Sequence, residues 1–257
     1  MQELINFWPA FLLILVRIAT FMMVVPIFSY RNIPAMAKIG LSFFIAIPIF
    51  FTIDPDPVAV DGIFLFLVLK EALVGLSIAL IAHILMGTVQ TAGGIIDFQM
   101  GFAMANVVDP LTGSQSPVTG QYLYIFTMLF LLATDGHHLL IDAIFHSYSF
   151  IPLTELSVHF GDAHTVFLIA KSFATMFLIA VQISIPIVAS ILMVDIALGI
   201  LAKTVPQLNI FAVGFPLKIL SGFILLFMVI GVMIFSVERL FEIILYAMRD
   251  LMRLLGQ

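Results

Sequence analysis

The sequence predicts an all-α membrane protein, and three features support that prediction. The 257 residues are 63% hydrophobic and 10% charged, with a mean hydropathy of +1.23, whereas a soluble domain carries charge on roughly a quarter of its residues. The apolar residues form long stretches, as expected of helices that lie in or against lipid. Proline and glycine occur inside several of these stretches. We therefore expect broken helices and helical hairpins, and not a regular bundle of simple spans.

Apolar stretches follow one another along the chain and define the expected helices. They are Leu4 to Phe28, Ile39 to Ile53, Ile63 to Val89, Gln121 to Ala133, Leu139 to Ile151, Thr165 to Leu201, and Leu208 to Val237. A crossing helix needs about 20 apolar residues, so the second, fourth and fifth stretches are too short to be simple spans. We expect Pro48 to break the second stretch, and we expect Pro186 to kink the sixth, which is unusually long.

Composition excludes several classes of function. The chain has no cysteine, so it has neither disulfides nor thiolate metal sites. A formal net charge of -5 offers no basic surface, and we expect no nucleic-acid partner. No basic segment precedes Leu4, which predicts that the first apolar stretch is retained as a helix. The last segment, Ser236 to Leu255, has an amphipathic pattern suited to a partner or a membrane surface.

The segment from Gly93 to Val118 is polar and rich in glycine in an otherwise apolar chain. Helical spacing places small or polar residues on one face, which suits close helix packing or a wet channel. We expect this helix to continue until Asp109-Pro110 stops it, and we expect a loop to follow over residues 111–117. A stripe of small residues upstream predicts similar close packing. The predicted packing residues are Gly75, Ala79, Gly87, Gly94, Asp97 and Gly101.

Single ionisable residues lie within the apolar stretches, where an unpaired charge costs around 3 kcal/mol by insertion scales. Lys70 and Glu71 are adjacent and therefore about 100° apart on a helix, so we expect each to find a different partner. Intersubunit polar contacts are favoured over ion translocation, and for His83 an interhelical hydrogen bond is favoured over a proton relay. The candidate intersubunit residues are Arg17, Lys70, Glu71, His83, Lys171, Asp195 and Lys218.

The sequence contains no pattern typical of an enzyme. Asp97 and Asp109 lack the GxGD context of an intramembrane aspartyl protease, and neither a nucleophile elbow nor an HExxH pattern occurs. His138 and His146 flank Asp142 at helical spacing, but residues eight apart lie about 12 Å apart along a helix. One ion cannot reach both histidines, so we expect no metal site and no cofactor. Asp135-Gly136-His137 predicts a structural turn between two helices.

Several short elements, in order along the whole chain, resemble the FliR/SctT family of type III secretion export-gate membrane proteins. They are the early residues Pro26, Arg31, Pro34 and Lys38, the run DFQMGFAMANVVDP at 97–110, the Gly136-His137 turn, and the later residues Pro206, Gln207, Asn209, Phe211, Pro216 and Lys218. The GFAMANVVDP run looks more like the flagellar members than like the virulence injectisome members. The injectisome export-gate subunit is therefore the alternative within the family.

The resemblance implies a subunit of the flagellar protein export gate in the bacterial cytoplasmic membrane, at the flagellar basal body. Its implied protein partners are FliP, FliQ, FlhB and FlhA-like proteins, with unfolded export substrates in transit and membrane lipid around it. Residues 1–257 would form one integral membrane domain, in which residues 1–185 resemble FliP and residues 186–257 resemble the FliQ hairpin.

The resemblance also implies that the loop over residues 106–120 projects toward the pore and closes it. Its glycine, serine and proline content suits a segment that yields to a passing chain, and its apolar flanks suit a hydrophobic seal. The predicted plug residues are Phe102, Met104, Asn106, Val107, Asp109, Pro110, Leu111, Gly113, Ser116 and Pro117.

Two other classes of protein compete with this interpretation. An ion-coupled secondary transporter would explain helices interrupted at Pro48, Pro186 and Pro216 and the scattered buried charges. That class predicts paired halves with matching broken helices, and no such internal symmetry is visible in the sequence. A pure scaffold without a pore surface leaves the unusual composition of residues 93–118 unexplained.

Overall fold

A computed structural model describes residues 2–30, 32–102, 117–207 and 209–256, without the side chains of residues 2–6 and 210. Within these ranges the regular elements are α helices. In chain order they are α1 (Gln2–Val24), α2 (Ala35–Ile53), α3 (Phe64–Met100), α4 (Val118–Ala133), α5 (Gly136–Phe150), α6 (Ala163–Thr204) and α7 (Ile210–Leu255). The predicted all-α fold class is confirmed.

The described residues contain five helices that are long and apolar enough to cross a membrane: α1, α2, α3, α6 and α7. Helices α4 and α5 pass the same test only as a pair, and they are bent by 73° at the short break between them. The prediction that these two stretches are parts of a broken span or hairpin is therefore confirmed. The chain has the composition and helix lengths of an integral membrane protein.

Helix α2 corrects one prediction. It runs unbroken for 19 residues through Pro48, and it is long enough to span. Pro34 precedes its first turn, where a fixed proline φ suits the entry to a helix. Asp54 ends it in the left-handed conformation (φ 46°) with its N–H bonded to the Phe50 carbonyl. A proline can stay inside an apolar helix when the rest of the hydrogen-bond ladder is intact, so Pro48 alone did not decide the boundary.

The chain folds into two compact units that each draw on separate parts of the sequence. Unit 1 contains residues 1–86, 132–173 and 241–257, and unit 2 contains residues 87–131 and 174–240. Helices α3, α4, α6 and α7 contribute residues to both units, although only the last two residues of α4 belong to unit 1. The division predicted from family resemblance, between residues 185 and 186, falls inside α6 and remains a prediction.

In unit 1, α1 packs against α3 through a contact that only glycine permits. A Cβ atom at Gly75 would clash with the carbonyl oxygen of Arg17 and the hydroxyl of Thr20. The neighbouring α1 side chains Leu13 and Ile18 are completely buried. The two backbones therefore touch at Gly75, as expected where small residues let membrane helices approach.

Aromatic rings join α1 to α2 in the same unit. Phe11 lies 5.4 Å from Phe43 and 5.9 Å from Phe50 between ring centroids, with both pairs edge-to-face. Phe7 also meets Phe50 edge-to-face at 6.3 Å. Edge-to-face pairs are favourable beyond the area that they bury, so this cluster fixes how α2 lies on α1.

We expect Gly75→Ala to destabilise the protein by about 1–3 kcal/mol, the usual cost of overpacking, because the new methyl group would meet backbone that cannot rotate away. Gly40→Ala is the matched control, since nothing lies within 4 Å of a Cβ at Gly40 in α2. Thermal unfolding in detergent, followed as loss of the monodisperse peak, measures both variants. Equal midpoints for Gly75→Ala and Gly40→Ala would contradict the close packing of α1 on α3.

Candidate functional site

Helix α3 ends at Met100, earlier than the sequence predicted. The segment predicted to close the pore follows this end. Gly101 is in the left-handed region (φ 91°). Its N–H bonds to the Phe98 carbonyl at 3.2 Å, and the Phe102 N–H bonds to the Asp97 carbonyl at 3.0 Å. This pair of bonds is the Schellman arrangement that terminates helices, with glycine at the position that favours positive φ. The prediction that the helix continues to Asp109 is therefore wrong, and Gly101 ends it.

The side chain of Asp97 ties the end of α3 to the start of α4. The Thr119 backbone N–H donates to both carboxylate oxygens, at 3.2 and 3.0 Å, and Asp97 is 4% exposed. Thr119 lies in the first turn of α4, where backbone N–H groups have no partner within the helix. A carboxylate there satisfies a free donor and suits the positive end of the helix dipole. Asp97 thus acts as a helix cap supplied from a different helix.

Helices α3 and α4 also touch backbone to backbone near this cap. A Cβ at Gly93 would clash with the Cα of Gly120. A Cβ at Gly120 would lie 2.9 Å from the Gln90 carbonyl oxygen and 3.0 Å from Pro117. Gly93 and Gly120 are not among the packing residues predicted from the sequence, although the adjacent pair Gly93-Gly94 indicated that small residues occupy more than one face of α3.

Helix α7 covers the last turn of α3 within unit 2. A Cβ at Gly222 would meet the Met100 side chain at 2.6 Å, and a Cβ at Gly101 would meet the Phe215 ring at 2.8 Å. Phe102 and Phe223 meet edge-to-face with centroids 6.1 Å apart. The residue that leads into segment 103–116 is therefore packed in place.

Segment 103–116 lies outside the described residues, but both of its flanks are held. Phe102 is positioned by the Schellman arrangement and by Phe223, and Pro117 precedes the helix turn that Asp97 caps. The predicted plug residues Met104, Asn106, Val107, Asp109, Pro110, Leu111, Gly113 and Ser116 lie in the undescribed part. Asp97, Gly101 and their contacts therefore form the frame from which that segment starts and to which it returns. We call this set of residues the loop frame: Gly93, Asp97, Gly101, Phe102, Pro117, Thr119 and Gly120.

A polar group beside the loop frame joins three helices of unit 2. The Gln99 amide of α3 donates to an Asp195 carboxylate oxygen of α6 at 3.0 Å. Lys218 of α7 pairs with the other oxygen of the same carboxylate. The sequence suggested intersubunit contacts for Asp195 and Lys218, and the structure gives them each other as partners. Their side chains are 30% and 23% exposed, so this pair is also accessible from outside the chain.

A second polar group is deeply buried in unit 1. Glu71 of α3 accepts from the Arg17 guanidinium of α1 through both carboxylate oxygens, with the Arg17 Nη2 bond at 2.9 Å. Lys70 Nζ lies 2.7 Å from the same carboxylate. The Arg17 and Glu71 side chains are completely buried, and Lys70 is 5% exposed. We call Arg17, Lys70 and Glu71 the buried charge cluster.

Additional acceptors surround the two cations. Arg17 donates to the Ser147 hydroxyl at 3.0 Å and to the Ile151 carbonyl at 2.9 Å. Its guanidinium carbon also lies 4.1 Å from the centre of the Tyr148 ring, a favourable cation–π distance. Lys70 Nζ donates to three backbone carbonyls after α5, those of Pro152, Leu153 and Glu155, at 2.8 to 3.0 Å. The cluster therefore fastens the chain that follows α5 to α1 and α3.

This geometry corrects two expectations about the charges. Lys70 and Glu71 do pair with each other, because long flexible side chains can converge even when their Cα–Cβ bonds diverge by about 100°. The three residues also have intramolecular partners, in place of the intersubunit contacts suggested by the sequence. Their burial within the chain leaves at most 5% of any of the three side chains exposed to a neighbouring subunit.

The remaining predicted residues have simpler surroundings. His83 and Lys171 are exposed in the isolated chain, so their suggested contacts with other subunits remain predictions. Ala79 is completely buried. A Cβ at Gly87 would lie 3.5 Å from the Met176 sulfur, and one at Gly94 would lie 3.7 Å from Pro117. These are ordinary van der Waals distances, looser than those at Gly75.

Comparison with known proteins identifies the family. The model of a family described as bacterial export proteins, family 1, matches residues 8–244. The flagellar biosynthetic protein FliR of Bacillus subtilis (strain 168) is 48% identical over 257 residues, covering 100% of this chain and 99% of the relative. This chain belongs to the FliR family. The resemblance inferred from short sequence elements is thereby confirmed.

More distant FliR relatives match over nearly the same length. The FliR protein of Escherichia coli (strain K12) is 28% identical over 246 residues, covering 95% of this chain and 91% of the relative. That of Aquifex aeolicus (strain VF5) is 26% identical over 228 residues, covering 88% of this chain and 87% of the relative. The FliR likeness thus covers both units and includes the loop frame and the buried charge cluster.

We expect Glu71→Leu in this FliR-family chain to cost about 3–5 kcal/mol, because it leaves two cations buried without a counter-charge. The double variant Arg17→Met with Glu71→Leu should lose less stability than the two single variants summed, with a coupling energy of about 0.5–3 kcal/mol. Thermal unfolding of the three variants in detergent measures this coupling.

Asp142→Asn is the control for the buried charge cluster. Asp142 pairs with His146 at 3.5 Å on the exposed face of α5, where both side chains are more than half exposed. Exposed pairs contribute little, so its unfolding midpoint should match that of the parent. Strictly additive losses for Arg17→Met and Glu71→Leu would show that the cluster does not act as a unit.

We expect Asp97→Ala to loosen the start of α4 and to cost about 1 kcal/mol, as loss of a helix cap does. Asp97→Asn keeps one acceptor oxygen and should lie between the parent and the alanine variant. Hydrogen exchange of peptides that cover residues 117–124 measures the effect directly. Unchanged protection in Asp97→Ala would show that the carboxylate does not cap α4.

Proposed function

We propose that this chain is a subunit of the bacterial flagellar protein export gate, in which it assembles with FliP-like and FliQ-like proteins around a channel for unfolded flagellar subunits. The proposal also places FlhA-like and FlhB-like proteins against this assembly, in the cytoplasmic membrane at the flagellar basal body. The supporting observation is the match to FliR over the full length of the B. subtilis protein, whose name assigns it to flagellar biosynthesis.

The second part of the proposal is that residues 106–120 form a loop that closes the channel. The loop frame supports this assignment, because a pore-closing segment needs fixed ends and a permissive middle. The Schellman arrangement at Gly101 and the Asp97 cap fix the two ends. The sequence between them contains Gly113, Ser114 and Ser116, residues typical of permissive loops.

The surface of the chain supports an assembly with other helices. In the 18-residue apolar stretch of α7, only 17% of the residues are buried within the chain. Phe227, Met228 and Phe235 on that helix are each more than two-thirds exposed. Side chains of this kind require lipid or neighbouring protein, because water is a poor solvent for them. A gate built from several membrane subunits supplies both environments.

The proposed role is non-catalytic, and energy for export would come from partner proteins. The names of the relatives favour the flagellar over the injectisome assembly.

Co-expression tests the assembly. We expect the chain to co-purify in mild detergent with the FliP-like and FliQ-like proteins of its own genome as one complex of discrete native mass. Because α7 is so little buried within the chain, we expect the chain purified alone in detergent to unfold at a lower temperature than the same chain in the complex. A stable, monodisperse chain that captures neither protein would overturn the export-gate assignment.

Deletion of residues 111–116 tests the proposed closure. We expect the assembled complex with this deletion to conduct ions across a planar bilayer at a rate well above that of the parent complex. Replacing the same six residues with glycine and serine is the matched control, because it keeps the loop length and removes the apolar Leu111 side chain. Conductance in both variants would assign closure to the side chains, and conductance in the deletion alone would assign it to loop length. Conductance equal to that of the parent in both variants would contradict the proposal that this segment closes the channel.

A further inference from the structure

The turn between α4 and α5 brings together three side chains that bind transition metals. Asp135, His137 and His138 each offer a ligand atom, and these atoms all lie within 4.8 Å of one another. Among the described residues it is the only group of three or more histidine and carboxylate side chains whose ligand atoms lie this close together. It is separate from both the loop frame and the buried charge cluster.

The backbone of the turn explains how such near neighbours converge. Asp135 is in the left-handed region, with φ 56° and ψ 20°, immediately before the first residue of α5. Aspartate tolerates that conformation better than most residues. The Asp135 N–H bonds to the Leu132 carbonyl, and the His138 N–H bonds to the Asp135 carbonyl. The tight turn thus directs the carboxylate back toward the first turn of α5.

One distance already matches metal coordination. Asp135 Oδ1 and His138 Nδ1 are 3.4 Å apart. Two ligands bound to Zn²⁺ at 2.0–2.1 Å in a tetrahedral arrangement are about 3.3 Å apart. These two atoms therefore need little movement to share an ion.

The third ligand is available for coordination. His137 Nδ1 is buried and has no hydrogen-bond partner among the described residues. The His137 and His138 rings lie 4.0 Å apart between centroids, at an interplanar angle of 36°. The neutral imidazole is the form that binds metal ions.

We propose that Asp135, His137 and His138 form a binding site for a divalent transition metal ion, with Zn²⁺ as the best match. Two imidazole nitrogens and one carboxylate oxygen suit Zn²⁺ and the neighbouring first-row metals, whereas Mg²⁺ and Ca²⁺ require mainly oxygen ligands. Three protein ligands leave a fourth tetrahedral position for water or another donor. A bound ion would fix the turn at which α4 and α5 bend.

The site differs from the histidine ladder that the sequence suggests. Farther along α5, His146 Nε2 lies 3.5 Å from an Asp142 carboxylate oxygen. Among the described residues, no third ligand joins that pair. The metal ligands that lie near His138 are therefore Asp135 and His137 at the turn, and not Asp142 and His146 along the helix. The His146–Asp142 pair supplies a control with the same residue types and one ligand fewer.

Titration with Co²⁺ tests the proposal on the full chain. The protein is purified in detergent through a histidine-free tag and stripped with chelator. We expect one Co²⁺ per chain, with visible absorption of tetrahedral intensity that excess Zn²⁺ abolishes. His138→Asn should weaken binding at least about tenfold, since loss of even an outer-shell partner often costs 10- to 100-fold in affinity. The His138 side chain is 69% exposed, so this substitution should leave the fold intact.

Further variants and a second readout make the result decisive. Asp135→Asn should weaken binding as His138→Asn does, and His146→Asn should leave it unchanged. Zn²⁺ at a hundredfold excess over its Kd should raise the unfolding midpoint of the parent and not that of His138→Asn, because a ligand that binds only the folded state stabilises it. Absence of tetrahedral Co²⁺ absorption, or equal affinity in the parent and His138→Asn, would overturn the proposed site.

Discussion

A buried carboxylate held between two buried cations is the interaction on which unit 1 depends. Glu71 is completely buried, and its carboxylate contacts the Arg17 guanidinium and the Lys70 ammonium. Charges in such a place cost several kcal/mol each unless they are paired and hydrogen-bonded. Here the pairing links α1 to α3 through Arg17, and the surplus donors of Arg17 and Lys70 are taken up by carbonyls after α5. Elements distant in the sequence are therefore mutually dependent.

The same requirement to satisfy buried donors shapes unit 2 in a different way. There the demand comes from the first turn of α4, whose free N–H groups face the end of α3. Asp97 meets it, and the direct contact between Gly93 and Gly120 brings the carboxylate within reach. Gly101 ends α3 one turn after Asp97, in the left-handed conformation.

Helices α6 and α7 leave much apolar surface for other molecules. In the 18-residue apolar stretches of the long helices α6 and α7, only 28% and 17% of the residues are buried within the chain. A protein that folds around a few buried polar groups and exposes its apolar helices is suited to assembly with other membrane subunits. In that setting the partly exposed Asp195–Lys218 pair is a polar group on the surface of α6 and α7. Neighbouring helices that pack there would need a polar group to match it.

By itself the sequence determined the fold class, the membrane environment and the family. Hydrophobic composition and helix-length apolar stretches are properties of the chain alone, and they do not depend on which helices meet. The bend between α4 and α5 was also predictable, because the Asp135-Gly136-His137 turn interrupts two stretches too short to span. Scattered prolines, glycines and polar residues in a fixed order were enough to indicate the FliR resemblance.

Tertiary structure decided which groups meet. Helical geometry predicted that Lys70 and Glu71 diverge, yet a shared buried environment with Arg17 draws their side chains together. The position of Gly101 alone did not show whether α3 would continue, since glycine occurs both within membrane helices and at their ends. Packing against Phe215 and the Asp97 cap on α4 fixed that boundary. Sequence periodicity describes one helix at a time, whereas pairing, capping and close approach are set by the neighbouring helix.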